Sequence, residues 1–183
     1  MSEVIIFCLI VGIGSTVVLD VFVSLVHRPT GIPPTDWGTV GRWLLGVGKG
    51  QLILDPADES PPTHAERIVG WLFHYLVGVA YAAAIVALWG PGYIAAPTIL
   101  PVVVVGVLIS TLAGLTILLP GLGAGFMGSK LPNQFAIIAY LIVAHVVFAA
   151  GQYGFALLHN TASGPSGEPT ATSSMLLSTK TVE

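Results

Sequence analysis

The most unusual residue in the sequence is Asp20, a carboxylic acid in the largely apolar stretch VVLDVFVSLVHR, residues 17–28. A second ionisable residue, His74, lies in another apolar stretch, GWLFHYLVG, residues 70–78. A carboxyl group and an imidazole that meet in apolar surroundings can exchange a proton, and perturbed groups of this kind are typical of sites for acid–base catalysis. We therefore take Asp20 and His74 as a candidate proton-active pair.

The composition indicates that both groups lie within a membrane. Of the 183 residues, 54% are hydrophobic and 8% are charged, whereas soluble domains carry about 25% charged residues. A helix needs ~20 apolar residues to cross the hydrocarbon core, and the stretches do not alternate as barrel strands would. We predict an all-α, polytopic membrane protein in which residues 1–158 form one four-helix transmembrane bundle. The apolar stretches lie at about 4–26, 68–89, 96–119 and 134–158.

Three other features exclude further classes of protein. The net charge of −3 is too small to indicate a nucleic-acid partner. The single cysteine, Cys8, excludes an intramolecular disulfide framework. The first apolar stretch has no basic residue before it and is longer than the core of a signal peptide, so we interpret it as a membrane helix.

The connections between the helices predict the orientation of the chain. A long loop, residues 27–67, holds four Lys or Arg residues, and the loop after the third helix holds Lys130. The opposite side has no basic residue except Lys180, far out in the tail. Because basic loops stay in the cytoplasm, we expect both termini on the non-cytoplasmic side. The Ser/Thr-rich tail, residues 159–183, is predicted to be disordered.

The long loop also contains DWGTVGRWLLGVGKG, residues 36–50, which we predict to form an interfacial helix. Its residues Trp37, Trp43 and Leu44 would then lie at the level of the lipid headgroups. Arg42 and Lys49 would reach the lipid phosphates.

Several polar residues are expected at similar depths. At a rise of about 1.5 Å per residue, Asp20 lies ~9 Å inside the cytoplasmic end of the first helix and His74 at ~9–10 Å in the second. Tyr140 falls near this level, His145 near the midplane, and Thr111 in the matching half of the third helix. Small and polar residues recur at helical spacing on the first, second and fourth helices, which allows close packing around a cavity that opens to the cytoplasm.

These positions give two groups of candidate site residues. A charged aspartate facing lipid would cost about 2.5–3.5 kcal/mol, so Asp20 should point inward, either protonated or paired with a histidine. The alternative is that Asp20 only bonds Thr16, His74 or Tyr75 to fix the helix packing. The expected catalytic residues are Asp20, His74, Glu66 and His145, and the expected substrate-binding residues are Arg42, Trp43, Trp71, Tyr75, Thr111 and Tyr140.

Two motifs suggest other chemistry. GAGFMG, residues 123–128, matches the dinucleotide pattern G-x-G-x-x-G, but it follows a membrane helix instead of a strand, so we interpret it as a hinge. His74 and His145 could ligate haem or, with Asp20 and Glu66, a metal. Because no H-x-x-H or E-x-x-H pair supplies two ligands on one helix face, we expect neither a cofactor nor a metal.

Three functions remain open from the residues alone. The first is an acid–base enzyme, of the isomerase, cyclase or hydrolase type, that acts on a lipophilic small molecule in the cavity. The second is a proton-coupled transporter, which would need to form a homo-oligomer to complete a pathway. The third is a non-catalytic assembly subunit. In each case membrane lipids are the surrounding partners.

The chain also resembles a family of small integral-membrane proteins of bacteria and fungi that is catalogued only as a domain of unknown function. The resemblance covers roughly residues 4–158 and implies a membrane fold without implying an activity. Leu119, where the family pattern has Gln, and the long tail depart from it. The shared residues are Asp20, GRW at 41–43, Glu66 with GWLFHY at 70–75, Pro97, Thr98, Pro101, PGLGAG at 120–125, Pro132, Asn133, His145 and Phe148.

The predicted orientation can be tested with a reporter enzyme fused after Leu158. The distribution of Lys and Arg predicts that the reporter is active only on the non-cytoplasmic side. Activity on the cytoplasmic side would show that the orientation is reversed.

Overall fold

The protein folds as an all-α membrane bundle in which four helices are long and apolar enough to span a membrane. The computed structural model describes residues 1–55 and 57–163, and no strand is formed within them. Two shorter helices lie in the connections. The helices are α1 (Ser2–Thr30), α2 (Trp37–Val47), α3 (His64–Trp89), α4 (Gly92–Ala95), α5 (Ile99–Gly121) and α6 (Gln134–Ser163).

The helix ends are set by local capping. α1 ends at Thr30 and is followed by Gly31, whose φ of 68° is a left-handed conformation in which glycine lacks the steric penalty of other residues. α2 begins after Asp36, whose side chain accepts from the backbone N–H of Gly38. α3 begins with a capping box in which Thr63 and Glu66 each accept from the other's backbone N–H. These caps supply partners for backbone groups that a helix end leaves free.

The observed bounds correct several of the predicted ones. α1 continues to Thr30, so the long connection begins later than residue 27. The third helix starts at Ile99 instead of 96, since α4 and the turn after it occupy the preceding residues. The last helix continues to Ser163, so the tail does not begin at residue 159. The rest of the predicted disordered tail, residues 164–183, lies outside the described residues.

α1 packs against α3 at a close crossing made by glycines. A methyl group on Gly12 would come within 2.5 Å of the backbone of Val79, and one on Gly78 would collide with the hydroxyl of Thr16. Small residues allow helices to approach closely in membranes, where hydrophobic burial does not drive their association. This crossing sets the distance between α1 and α3, the two helices that carry Asp20 and His74.

α2 packs against the first turns of α3 through a second pair of glycines. A methyl group on Gly41 would collide with the carbonyl oxygen of Glu66, and one on Gly70 would collide with that of Trp37. The helix predicted in the long loop is therefore present. It packs on protein, and Trp43, which we expected at the headgroups, is buried.

α5 contains two π-helical segments, Val103–Ile109 and Gly114–Leu118. The first faces α6 at Gly106, which lies directly against the fully buried side chain of Gln152. The amide of Gln152 has no hydrogen-bond partner among the described residues. α5 therefore departs from a regular helix where it faces α6, and widened turns of this kind are frequent at functional sites.

The packed core lies in the half of the bundle near α4. Phe7, Val11, Ile85 and Val105 are each at most 1% exposed and belong to one continuous cluster. The other half, at the end that carries α2 and the α5–α6 connection, is less completely filled. We call this second half the loop end of the bundle.

The α2–α3 contact predicts a loss of stability when Gly70 is replaced. Gly70→Ala places a methyl group against the Trp37 carbonyl, and overpacking of this kind costs about 1–3 kcal/mol. We expect a lower melting temperature in lipid nanodiscs. The matched control is Gly154→Ala in α6, where a methyl group meets no atom within 4 Å. Equal melting temperatures for the two variants would contradict the close contact.

Candidate functional site

Asp20 points into the bundle and bonds two side chains of α3. Its Oδ1 lies 2.8 Å from Nε2 of His74, and its Oδ2 accepts a 3.0 Å hydrogen bond from the hydroxyl of Tyr75. The predicted contact between Asp20 and His74 is thus confirmed. Asp20 keeps 26% of its side chain exposed, whereas His74 is buried. Both carboxylate oxygens have a donor, which offsets the cost of placing an acid among apolar groups.

Two tryptophans surround the imidazole of His74. The ring of Trp37, at the start of α2, stacks on it at 3.8 Å between centroids and 21° between planes. Trp71 meets it edge to face at 5.9 Å. Because one face and one edge of the ring are covered, His74 is held in a fixed orientation. We expected Trp37 at the level of the headgroups, whereas its contact with His74 follows from the Gly41–Gly70 packing.

These residues line a cavity of about 460 Å³ at the loop end of the bundle. Its wall is mostly apolar and is built from all four long helices, from α2 and from Pro34 and Thr35 before α2. This size and lining are typical of sites that bind small molecules. Of the predicted site residues, the lining includes Asp20, His74, His145, Trp43, Trp71 and Tyr140.

A second polar group lies on the α5–α6 side of the cavity. Nδ1 of His145 is 2.9 Å from the hydroxyl of Thr111. The hydroxyl of Tyr140 is buried without a hydrogen-bond partner in the described structure. Thr111 and His145 therefore meet, on helices other than the two that carry Asp20 and His74.

Arg42 and Glu66 are not among the residues that line the cavity. Arg42 forms a bidentate contact with Glu66, at 3.0 and 3.3 Å, and a 3.2 Å ion pair with Asp58. The prediction that Arg42 reaches lipid phosphates is therefore wrong, because protein carboxylates satisfy its guanidinium. The hydrogen bond to Glu66 raises the pKa of Arg42, and hydrogen bonds from Ser60 lower the pKa of Asp58. This network ties α2 and the long connection to the start of α3.

Trp43 joins α2 to the end of α5. Its indole N–H donates to the carbonyl of Leu52 at 2.9 Å, and its ring covers Gly121 so closely that a methyl group there would collide. The backbone N–H of Leu54 donates to the carbonyl of Gly121 at 2.8 Å. The GRW and PGLGAG segments of the sequence are thus in contact, which no spacing along the chain could have shown.

The glycines of the GAGFMG segment form a turn between α5 and α6. Gly123, Gly125 and Gly128 all have φ between 75° and 81°, and Met127 also has a positive φ of 54°. Side chains larger than glycine are strained in this region, which explains the glycine spacing without a nucleotide. Within residues 1–55 and 57–163, no three His, Cys, Asp or Glu side chains are grouped as a metal site would require.

Comparison with known families identifies the chain by its sequence. Residues 9–159 match a family model described as "Protein of unknown function (DUF2938)". The chain belongs to this family. No curated protein and no solved structure matches the chain. Because the family description names no activity, the function has to be inferred from the cavity itself.

Proposed function

We propose that the protein is an acid–base enzyme that binds a lipophilic small molecule in the loop-end cavity. The observation that carries this proposal is the Asp20–His74 contact in the wall of a mostly apolar cavity of about 460 Å³. An apolar cavity selects an apolar ligand, and the few polar groups in its wall fix where chemistry takes place. Isomerisation, cyclisation and hydrolysis are the reaction types that such a pair can catalyse.

The two residues have different roles in this proposal. An ionised Asp20 accepts from Nε2–H of His74 and from Tyr75, which leaves Nδ1 of His74 as the proton acceptor. That nitrogen has no partner among the described residues. When His74 takes a proton from the substrate, the adjacent carboxylate stabilises the imidazolium, as in other carboxylate–histidine pairs. Asp20 therefore orients and stabilises, and His74 transfers the proton.

The contacts around the cavity support a fixed site. Stacking of Trp37 on His74 depends on the docking of α2, which the Arg42–Glu66 and Arg42–Asp58 contacts stabilise. Catalytic groups act best when surrounding residues hold them in place. We assign Arg42 and Glu66 to this positioning role instead of to substrate binding and catalysis.

The packed half of the bundle favours an enzyme over a transporter. Phe7, Val11, Ile85 and Val105 fill the interior near α4, so the cavity ends inside the bundle. A transporter needs access to the bound molecule from both sides of the membrane, which a rearrangement or an oligomer would have to supply. Catalysis in this cavity would require neither a rearrangement nor an oligomer.

The proposal can be tested without knowing the substrate. An enzyme that removes and returns a proton introduces deuterium into its substrate in D₂O. The purified protein in nanodiscs would be incubated in D₂O with an apolar extract of the source membrane, and mass spectrometry would detect new labels or products. We expect one lipid-soluble compound to change with the native protein and at least a hundredfold less change with Asp20→Asn or His74→Gln.

The controls separate chemistry from folding and from transport. Asn and Gln keep hydrogen-bonding ability, so both variants must match the melting temperature of the native protein. A pH-driven uptake of a compound into sealed vesicles, without labelling, would support the transporter instead. A normally folded Asp20→Asn protein with full labelling activity would show that Asp20 only joins helices.

A further inference from the structure

Thr111 differs from the other hydroxyl residues of the membrane helices. Ser15, Thr16, Ser110 and Thr116 each donate to the carbonyl oxygen four residues earlier, which is the usual partner of a hydroxyl in a helix. Thr111 contacts Nδ1 of His145 instead, at 2.9 Å. It lies two residues after the end of the first π-helical segment of α5, Val103–Ile109.

This single contact determines which nitrogen of His145 carries its proton. An unpaired O–H in apolar surroundings is costly, and Nδ1 is the only acceptor that the described residues offer to Thr111. We infer that the hydroxyl donates to Nδ1, because the reverse direction would leave the O–H without a partner. In a neutral imidazole the proton then resides on Nε2, which has no protein partner among the described residues and is a free donor.

The surroundings of His145 leave room for a ligand. Gly114 lies in the second π-helical segment, opposite the imidazole of His145. A methyl group on Gly114 would lie 3.8 Å from Cε1 of His145. Both residues line the same cavity as Asp20 and His74. The cavity thus has a carboxylate–imidazole pair on α1 and α3 and an imidazole donor on α6, with mostly apolar wall between them.

We propose that Nε2–H of His145 donates a hydrogen bond to a carbonyl oxygen of the ligand, so the ligand is a lipophilic carbonyl compound such as a ketone, enone or ester. A free donor in an apolar wall requires an acceptor on the ligand. A carbonyl group supplies this acceptor and brings no donor of its own. Thr111 is a positioning residue that fixes the tautomer. The proposal rests on the proposed function for the cavity, but the hydrogen bond itself does not require His74 to transfer a proton.

Together with the proposed function, this donor indicates proton removal beside a carbonyl group. The C–H bond next to the carbonyl breaks, and its proton passes to Nδ1 of His74. The electron pair forms the C=C bond of an enolate, while the π electrons of the carbonyl move to its oxygen, which His145 stabilises. Return of the proton to carbon completes an isomerisation or an exchange without any oxidant or reductant.

The test uses 2-acetylnaphthalene with a ¹³C-labelled carbonyl, and 2-isopropenylnaphthalene as its carbonyl-free match. In nanodiscs, the bound carbonyl resonance should shift downfield relative to the probe in empty nanodiscs. His145→Leu should remove that shift and weaken binding of the ketone about 2- to 10-fold, the range of one hydrogen bond. The carbonyl-free probe should bind both proteins equally.

Thr111→Val keeps the shape of the side chain and removes its hydroxyl. In ¹⁵N-histidine spectra, with the His145 signals assigned by their loss in His145→Leu, the native protein should show the proton on Nε2. Thr111→Val should shift the population toward Nδ1–H and reduce the carbonyl shift. A purely structural threonine would leave the tautomer unchanged.

The outcomes separate this inference from the proposed function. Asp20→Asn should keep the carbonyl shift even if it loses all labelling activity, because the two groups lie on different helices. The inference would be overturned by a native protein that has the proton on Nδ1 of His145 or that does not bind the ketone. Equal binding of both probes before and after His145→Leu would also overturn it.

Discussion

The structure depends on how a membrane bundle accommodates one carboxyl group, that of Asp20. Lipid offers no hydrogen bonds, so the acid must face inward and find donors on another helix. His74 and Tyr75, adjacent on α3, supply one donor to each oxygen. Those bonds require α1 and α3 to lie close together, and the Gly12–Gly78 crossing allows it.

The long connection completes the environment of this pair. α2 reaches α3 through Gly41 and Gly70, which brings Trp37 onto the imidazole and Trp43 onto the end of α5. Ion pairs stabilise the packing of the connection, since Arg42 contacts both Glu66 and Asp58. A segment that reads as a membrane-surface helix therefore packs against α3, and its residues Trp37 and Trp43 form part of the cavity wall.

The sequence predicts the helices and the depth of the polar groups because both follow from hydropathy and a fixed helical rise. Matched depth was sufficient to predict the contact between Asp20 and His74, whereas the contact between Thr111 and His145 was not predicted. It was insufficient for Arg42, Trp37 and Trp43, whose partners depend on tertiary contacts between glycines far apart in the chain. The π-helical turns of α5 also left no mark in the apolar pattern of the sequence.

The contact between Asp20 and His74 can be measured directly in lipid bilayers by solid-state NMR. Aspartate would be labelled with ¹³C at the carboxyl carbon and histidine with ¹⁵N in the ring, and Asp20→Asn would identify the signal. A structure with 2.8 Å between Oδ1 and Nε2 predicts a strong dipolar coupling between the Asp20 carboxyl carbon and Nε2 of His74. A folded protein without that coupling would contradict the placement of the acid on which the cavity and its proposed chemistry depend.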